Sequence, residues 1–562
     1  MRASSHILIL LLTLRASTTF AATLPDAGRL LKENSNSPSL VAPRIPPYVQ
    51  HDTKNRTQVT DTHRIAVTGF TFTGNTLFSD SELAALMANS IGKKLTLSEL
   101  NSAATIITAA YRKKGYFLAS VFFPPQTLAP GKPVVIEVIE GLLEKISVET
   151  TPSITRTQKS LLEYYANQVS TDKPLENGAL TSMVMRTNEL PNISSRILLE
   201  PGSRPGTTQA TLKVIEGKPY SYFLSLDNYG NEATGENHFS VSMELYSPLH
   251  LGDQFNVRVQ TSTTGDLKNI QSSYTLPVTP YGTKIGLNYN YVTYQMGGAF
   301  TSLHAHGSAH NISFSLTHPI IRSRNTILNA TFAGEGRVLN DRIETMGSST
   351  QRFTASCQTG LSGIQMDNLL GGGSTSMSLG LIGGETGSND ILTFFTDQST
   401  TGLHTTGYYS KINMSLARTQ TIRHGLSIYT GAYGQLSSKN LNSSEQLSLG
   451  GPSAVRAWQT NESSADKGII ATAELRYHFE ELGELPGKLE LSVFIDHCYA
   501  TLHNHPLPDA GSNIRTLTGA GVGIKWFDSK NYSLQSTAAW KITKENSSLA
   551  RPVLYAQAIK IF

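Results

Sequence analysis

The sequence is poor in cysteine, in charge and in long apolar runs. It holds 562 residues, of which 16% are charged and only two, Cys357 and Cys498, are cysteines. Exported proteins often depend on disulfides, but two cysteines so far apart give no such framework, and whether they pair stays open. No stretch approaches the roughly 18 to 20 apolar residues of a membrane-spanning helix. We therefore expect neither a disulfide scaffold nor a helical anchor.

Motifs for catalysis and for nucleotide or metal binding are also missing. The sequence has no G-x-x-x-x-G-K-[ST] phosphate loop, no H-E-x-x-H and no G-x-S-x-G, although a Ser-His-Asp triad depends on geometry that a sequence does not show. His304, His306 and His310 fall in a polar segment that we interpret as a loop without carboxylate or cysteine ligands. The net charge of +4 comes with no basic run. We predict no enzyme activity, no cofactor, no metal and no nucleic-acid partner.

The N-terminus has the layout of an exported protein. A short apolar run behind a basic residue and before small residues predicts a signal peptide over 1–22. Segment 23–35 predicts a short helix with Leu30 and Leu31 on one side, a candidate plug for a pore. The proline-containing segment 36–63 predicts a linker.

A tandem repeat follows the linker. Val-Ile-Glu-Gly occurs at 138–141 and again at 214–217, each time at the end of an alternating strand. The repeat predicts two small α/β domains, over 64–141 and 142–217. In the first, the elements expected are a strand at 65–72, a helix behind a Ser79–Glu82 capping box, a helix from Ser98 ended by Gly115, and strands at 117–123 and 133–139. In the second, helices are expected near 155–168 and 176–190.

From 218 to 562 the pattern changes to short strands with apolar residues at every second position. A soluble β-sandwich would share this period, but at roughly 20 residues per strand and connection the length gives on the order of 16 strands, more than a sandwich holds. Polar stretches at 295–310, 385–407 and 436–468 suit external loops. We predict a transmembrane antiparallel β-barrel of about 16 strands, closed because lipid offers no partner to a free strand edge.

One late strand and one loop point to a site inside this barrel. On the strand, Leu489, Leu491, Val493 and Ile495 share a face, so the other face holds Phe494, Asp496 and Cys498. With the apolar face on lipid, Asp496 points into the lumen and requires a cation. Arg456, in a glycine-rich loop, has a guanidinium suited to bidentate pairing.

Several motifs together resemble one family over nearly the whole mature chain. They are GFTFTGNTLFS (69–79), AAYRKKGYFLA (109–119), PPQ (124–126), VIEVIEG (135–141), DNYGNEATG (227–235), SPLHLGD (247–253), LGGPSAVRAW (449–458) and FIDHC (494–498). They are similar to the transporter half of two-partner secretion systems, the haemolysin and filamentous-haemagglutinin exporters, in a superfamily that includes outer-membrane assembly factors. The resemblance implies that the two α/β domains are periplasmic POTRA domains.

The resemblance also implies a site and a function. A lumenal loop near 449–468 would fold into the barrel and meet an inner-wall motif through Arg456 and Asp496. The residues expected to form this site are Gly450, Gly451, Val455, Arg456 and Trp458 in the loop and Phe494, Asp496 and Cys498 on the wall. Two positions depart from the family: Cys498 replaces a glycine, and Lys560 interrupts the alternation of a C-terminal strand that ends, as expected, on aromatic Phe562.

The expected function is export of an unfolded partner exoprotein across the outer membrane, without nucleotide hydrolysis. The expected partners are that haemolysin- or haemagglutinin-like protein, outer-membrane lipid, and the barrel-assembly machinery during biogenesis. Two alternatives stay open at this point: a barrel-assembly factor, which inserts its cargo into the membrane, and a passive porin or adhesin.

Overall fold

A computed structural model of the chain describes residues 25–35, 64–127, 131–151, 157, 159–479, 486–506, 512–542 and 551–562. The predicted signal peptide and linker lie outside these residues. The described residues form two compact units, one from those within 43–218 together with 250–252, and one from the N-terminal helix together with those within 219–249 and 253–562. No helix in the described ranges is long and apolar enough to cross a bilayer.

The first α/β domain lies in the first of these units. Its elements are β1 (Arg64–Ala66), β2 (Phe70–Thr73), α2 (Asp80–Met87), β3 (Lys94–Thr96), α3 (Leu97–Lys113), β4 (Ser120–Phe122) and β5 (Val134–Ile139), where α1 is the N-terminal helix Ala27–Ser35. The single strand predicted at 65–72 is wrong. The chain bends between β1 and β2 because β1 pairs with β3 while β2 pairs in parallel with β5.

Both helices of this domain begin as the sequence predicts. Ser79 accepts the Glu82 N–H, and the Glu82 carboxylate accepts the Ser79 N–H, which confirms the capping box before α2. Thr96 and Glu99 form a second capping box before α3. Gly115 ends α3 with φ +96°, a left-handed conformation in which a side chain would be strained.

The second α/β domain repeats this order of elements. They are β6 (Leu142–Thr151), α4 (Lys159–Ala166), α5 (Asn177–Asn188), β7 (Ile193–Pro201) and β8 (Thr207–Glu216). The sheet order is β6-β8-β7, so β7 has a neighbour on one side only among the described strands. Its core includes Leu143, Leu162, Met183 and Leu212.

The glutamate of the repeated Val-Ile-Glu-Gly makes equivalent contacts in both domains. Glu140 accepts the N–H groups of Thr76 and Leu77, at 2.7 and 2.9 Å, and the Tyr111 hydroxyl at 2.8 Å. Glu216 accepts the N–H and hydroxyl of Thr157, at 3.2 and 3.1 Å. Each carboxylate therefore holds the chain that leads into the first helix of its domain. Sequence repetition alone did not reveal this role.

Glu140 is 4% exposed. Burial favours its neutral form, but the hydrogen bonds outweigh burial and hold the pKa of Glu140 below its usual value. Replacing Glu140 by glutamine is expected to destabilise the domain at pH 7 by about 2 kcal/mol, because an amide accepts these bonds less strongly. Faster hydrogen exchange in α2 of the intact protein would measure this effect.

The pH dependence of that difference has a defined sign. A pKa lowered by folding contributes stability that is present above the unfolded value, about 4.3, and is lost as the pH falls through the folded value. The difference from Glu140→Gln should therefore shrink in acid. Glu137→Gln, the same change on the opposite face of β5, is the control. Equal exchange in both variants at pH 7 would contradict the proposed role of Glu140.

The second unit contains a closed antiparallel barrel. Its sixteen strands among the described residues are β9 (Tyr220–Asp227), β10 (His238–Tyr246), β11 (Gln254–Ser262), β12 (Leu267–Pro277), β13 (Lys284–Gln295), β14 (Ala305–Arg322), β15 (Thr326–Ile343), β16 (Ser348–Asp367), β17 (Gly373–Gly387), β18 (Gly407–Arg423), β19 (Leu426–Ser437), β22 (Lys467–Phe479), β23 (Lys488–Thr501), β24 (Ile514–Asp528), β25 (Tyr532–Lys541) and β26 (Val553–Ile561). The last strand pairs with β9, from Gln557↔Asp227 to Ile561↔Phe223, and leaves no free edge. The predicted barrel is confirmed.

Alternation along the strands separates a lipid-facing side from a lumenal side. On β23, Leu491, Val493 and Ile495 are exposed, whereas Phe494 and Asp496 are buried. The strands reach 20 residues in β16, well beyond the roughly 9 to 11 needed to span the hydrocarbon. Their outer ends can therefore carry polar residues. For this reason the loop predicted at 295–310 is wrong in its second half, where His306 and His310 lie on β14.

Candidate functional site

The lumenal loop, residues 438–466, joins β19 to β22 and folds into the barrel. Within it the short strands β20 (Leu447–Ser448) and β21 (Ser464–Ala465) pair with each other. Asp466, fully buried, fixes the base of the loop. Its carboxylate accepts the N–H groups of Leu441 at 3.0 Å and Asn504 at 2.9 Å, and the Gln446 amide at 2.9 Å.

Two glycines allow the tight turn before Arg456. Gly451 has φ +114°, and its N–H donates to the Trp458 carbonyl at 3.0 Å. A Cβ on Gly450 would lie 2.4 Å from the Gln459 carbonyl oxygen. Larger residues at either position would force this backbone apart. The sequence Gly-Gly-Pro-Ser thus brings the arginine close to the inner wall.

Arg456 lies on the inner wall against Asp496. Its Nε and Nη2 donate to Oδ2 and Oδ1 of Asp496, both at 2.9 Å, and its backbone N–H donates to Oδ2 at 3.1 Å. The guanidinium carbon lies 3.3 Å from the centre of the Phe494 ring. Asp496 is fully buried. This is a bidentate, desolvated ion pair stacked on an aromatic face, the kind of contact that lysine does not reproduce.

Three wall residues that sequence reasoning missed complete this contact. Glu474 accepts from Nη1 of Arg456 at 3.1 Å, and the Thr472 hydroxyl donates to Asp496 at 3.0 Å. Both project from β22 on the face opposite Leu475, so the alternation used for β23 would have found them. The third, Gly519, pairs with Asp496 in register, and a Cβ there would lie 2.3 Å from that of Ala457. No sequence signal distinguishes this glycine from its neighbours.

The remaining predicted residues form an apolar cluster around this ion pair. Val455 and Cys498 are fully buried in it, and Trp458 is nearly so. The Trp458 carbonyl accepts a hydrogen bond from the Tyr555 hydroxyl at 2.9 Å. The Lys541 ammonium lies 3.9 Å from the centre of the Trp458 ring. The structure accommodates cysteine where the family has glycine.

The two cysteines cannot pair in this fold. Cys498 is buried on the lumenal side of β23, whereas Cys357 is exposed on the outer side of β16. The barrel wall therefore separates their sulfur atoms, and both thiols are free.

Helix α1 packs against the inner wall of the barrel. Its Ala27, Leu30 and Leu31 are buried in a cluster with the wall residues Leu267, Val292, Tyr294, Met296, Ala305, Ala309 and Leu339. Asp26 accepts the Arg29 N–H at 2.9 Å and so caps the helix. Asp341 on β15 accepts the Ala27 N–H at 2.8 Å. The predicted short helix is present, and its apolar side faces the wall.

The opposite side of α1 contacts the lumenal loop. The Ser443 hydroxyl donates to Asp26 at 2.8 Å, the Lys32 ammonium donates to the Gln446 carbonyl, and the Asn461 amide donates to Glu33. A Cβ on Gly28 would lie 2.6 Å from the Ser443 hydroxyl. The helix and the loop are therefore bonded to each other from the capping Asp26 to Glu33.

A buried charge cluster fixes the loop beside α1. Glu445 pairs with Lys411 on β18, Nζ to Oε2 at 2.6 Å, and with Arg337 on β15. Arg337 also pairs with Glu335 at 2.6 Å. The ion pairs of Glu445 and Arg456 thus hold the loop to the wall at two separate places, in addition to the hydrogen bond between Tyr555 and the Trp458 carbonyl.

Comparison with known proteins shows which family this chain belongs to. The model for "Haemolysin secretion/activation protein ShlB/FhaC/HecB" matches residues 206–526, and the model for "POTRA domain, ShlB-type" matches residues 65–141. The first of these matches covers more than half of the chain. The chain belongs to this family. It is an outer-membrane transporter that carries a partner exoprotein across the membrane, with its POTRA domains in the periplasm.

Similar proteins within the family extend over most of the chain. The heme/hemopexin transporter protein HuxB of Haemophilus influenzae is 25% identical over 489 residues, covering 86% of this chain and 84% of that protein. The outer membrane transporter CdiB of Dickeya dadantii is 26% identical over 489 residues, covering 84% and 82%. The structure of CdiB from Escherichia coli has a TM-score of 0.68 at 22% identity and covers 95% of both chains. That structural likeness supports the fold.

Proposed function

We propose that α1 and the lumenal loop together close the barrel of the resting transporter, and that both shift when an unfolded partner passes through. The observation that carries this proposal is the set of contacts that joins helix, loop and wall. Since α1 is bonded to the loop at Asp26, Lys32 and Glu33, displacement of either one breaks contacts of the other. Opening is then one coupled event.

The Arg456–Asp496 pair sets the resting position of the loop in this proposal. A loop held by hydrogen bonds to its own backbone alone would find many positions in a wide lumen, whereas a bidentate pair defines one. Glu474 and Phe494 restrict the guanidinium further. The pair thus defines the closed position of the loop, from which it shifts together with α1 when the partner passes through.

The partner is proposed to be a haemolysin- or haemagglutinin-like exoprotein that docks on the POTRA domains as an added strand. The family description, haemolysin secretion/activation, supports this class of partner. The edge strand β7 supports the mode, because its outer backbone groups have no partner strand among the described residues. An extended, unfolded chain satisfies these groups and needs little sequence specificity.

Photo-crosslinking in cells tests this docking mode. A photoreactive residue in place of Leu198, on β7, is expected to capture the secreted protein encoded beside this chain. The same residue in place of Tyr164, on α4 of the same domain, is the matched control, since both side chains are exposed, at 39% and 50%. Equal capture at both positions, or capture at Tyr164 alone, would contradict docking at the β7 edge.

A further inference from the structure

The loop between β17 and β18 carries an exposed apolar surface that export does not explain. It contains α6 (Ile391–Asp397), a helix of two turns at the outer end of the barrel. Ile391, Leu392 and Phe395 are 74%, 70% and 66% exposed, and they share one helical face because Ile391 and Leu392 lie four and three positions before Phe395. Tyr408, at the start of β18, is 80% exposed. Large apolar side chains that are this exposed mark a contact surface.

The position of this surface along the membrane normal follows from the number of β18 residues between it and the periplasmic end of the wall. Arg418 pairs with Asp367, at 2.8 Å, on the outward face near the periplasmic end of the wall. Beyond it, the outward residues Leu416, Met414 and Ile412 are apolar and exposed. Tyr408 lies ten residues before Arg418 in the sequence, toward the outer end of β18. At about 3.3 Å per residue and a tilt of about 40°, this places Tyr408 about 25 Å above the ion pair, the height of the apolar band of such barrels.

Helix α6 lies beside this tyrosine. Asp397, at its C-terminus, accepts the N–H groups of Thr405 and Thr406 at 3.0 and 2.9 Å, and Ser388 donates to the Gln351 carbonyl on β16. The helix therefore stays at the outer ends of β16 and β18. Because its position adjoins the upper border of the lipid-facing band, its apolar face continues a surface that already contacts lipid.

The charges of this loop are turned away from the apolar face. The loop has two acidic residues, Asp390 and Asp397, and no lysine or arginine over 388–406. Asp390 caps α6 by accepting the Thr393 N–H at 2.8 Å, and Asp397 accepts backbone N–H groups of the same loop. Both carboxylates are therefore hydrogen-bonded within the loop, and the apolar face itself carries no charge that insertion among acyl chains would bury.

We propose that the face of α6 formed by Ile391, Leu392 and Phe395, together with Tyr408, inserts into the outer leaflet of the membrane as an interfacial anchor. The occupant is the acyl-chain border of the leaflet, where amphipathic aromatic rings are favoured and short apolar faces are buried. The anchor holds the outer rim near β16–β18 at a fixed depth while the lumenal elements rearrange.

Depth-dependent fluorescence quenching in the intact protein tests this anchor. In a Cys357→Ser background, which removes the exposed cysteine, Phe395→Cys and Thr401→Cys are labelled separately with a small fluorophore. Thr401 is exposed at the polar end of the same loop. Each variant is placed in phosphatidylcholine nanodiscs, with acyl chains brominated in one set and iodide added to the buffer in the other. We expect the label at 395 to be quenched several-fold more by brominated lipid than by iodide, and the label at 401 to show the reverse.

The opposite results would overturn the anchor. If iodide quenches the label at 395 as strongly as the label at 401, the face is in water. If the label at 395 is shielded from iodide only after the secreted partner is added, the face is a protein-docking surface. Leu392→Cys, on the same face, provides a second position if the 395 variant does not assemble, with the heat-dependent gel shift of the barrel as the check of folding.

Discussion

Replacing Arg456 by alanine is expected to lower secretion of the partner at least about tenfold while the barrel still assembles. The change leaves Asp496 fully buried without its cation, and removing one member of a buried pair costs about 3 to 5 kcal/mol. A loss of about 3 kcal/mol lowers the equilibrium constant between the held and the released loop by roughly 100-fold. Partner protein in the medium and barrel in the outer membrane are the two quantities to measure.

Two variants separate this effect from a general loss of an ion pair. Arg418→Ala removes a bidentate pair of the same composition, to Asp367 at 2.8 and 2.9 Å, on the outward face of the wall. It is expected to leave secretion nearly unchanged, because its partner is partly exposed and solvent compensates. Arg456→Lys is expected to lower secretion less than the alanine variant does, since an ammonium keeps the positive charge but gives neither the bidentate contact nor the stacking on Phe494.

Two outcomes would contradict the proposal for Arg456. Unchanged secretion in Arg456→Ala would remove the pair from the export cycle. Loss of other outer-membrane barrels, with the partner still exported, would indicate an assembly factor instead of an exporter. In a double-mutant cycle, the variant with both Arg456→Ala and Asp496→Ala should lose less secretion than the two single variants lose together. The reason is that the double variant has no unpaired buried carboxylate.

Replacing both Leu30 and Leu31 by aspartate is expected to raise the ion conductance of the barrel several-fold. Both leucines are buried between α1 and the inner wall. Carboxylates in that apolar cluster have no cation and favour release of the helix into water. Single-channel recording in planar bilayers measures the result. Deletion of 23–63 should give a similarly high conductance, because it removes the same helix.

Ser35→Ala is the matched control for this experiment. Ser35 lies at the C-terminal end of α1 and receives one hydrogen bond from Asn290, at 3.1 Å, so its loss removes little of the contact. We expect the control to stay nearly closed. Equal conductance in the wild type, the double aspartate variant and the deletion would show that α1 does not close the pore, as expected of a passive porin.

Local features of this protein were predictable from short stretches of sequence. The capping box of Ser79 and Glu82 and the left-handed Gly115 depend only on neighbouring residues, and both occur as expected. The strand at 65–72 was not predictable, because its break depends on two different sheets pairing with its two halves. The polar start of β14 was missed because strands of this barrel extend beyond the membrane into water.

The sequence by itself determined the barrel, its approximate strand number and the inward direction of Asp496, because a period of two assigns every residue to lipid or lumen. Only the tertiary structure decided which groups meet in that lumen. Glu33 and Asn461 are bonded across 428 positions, and Ala27 and Asp341 across 314. Periodicity fixes the direction of a side chain from its strand, but closure of the barrel decides what lies across from it.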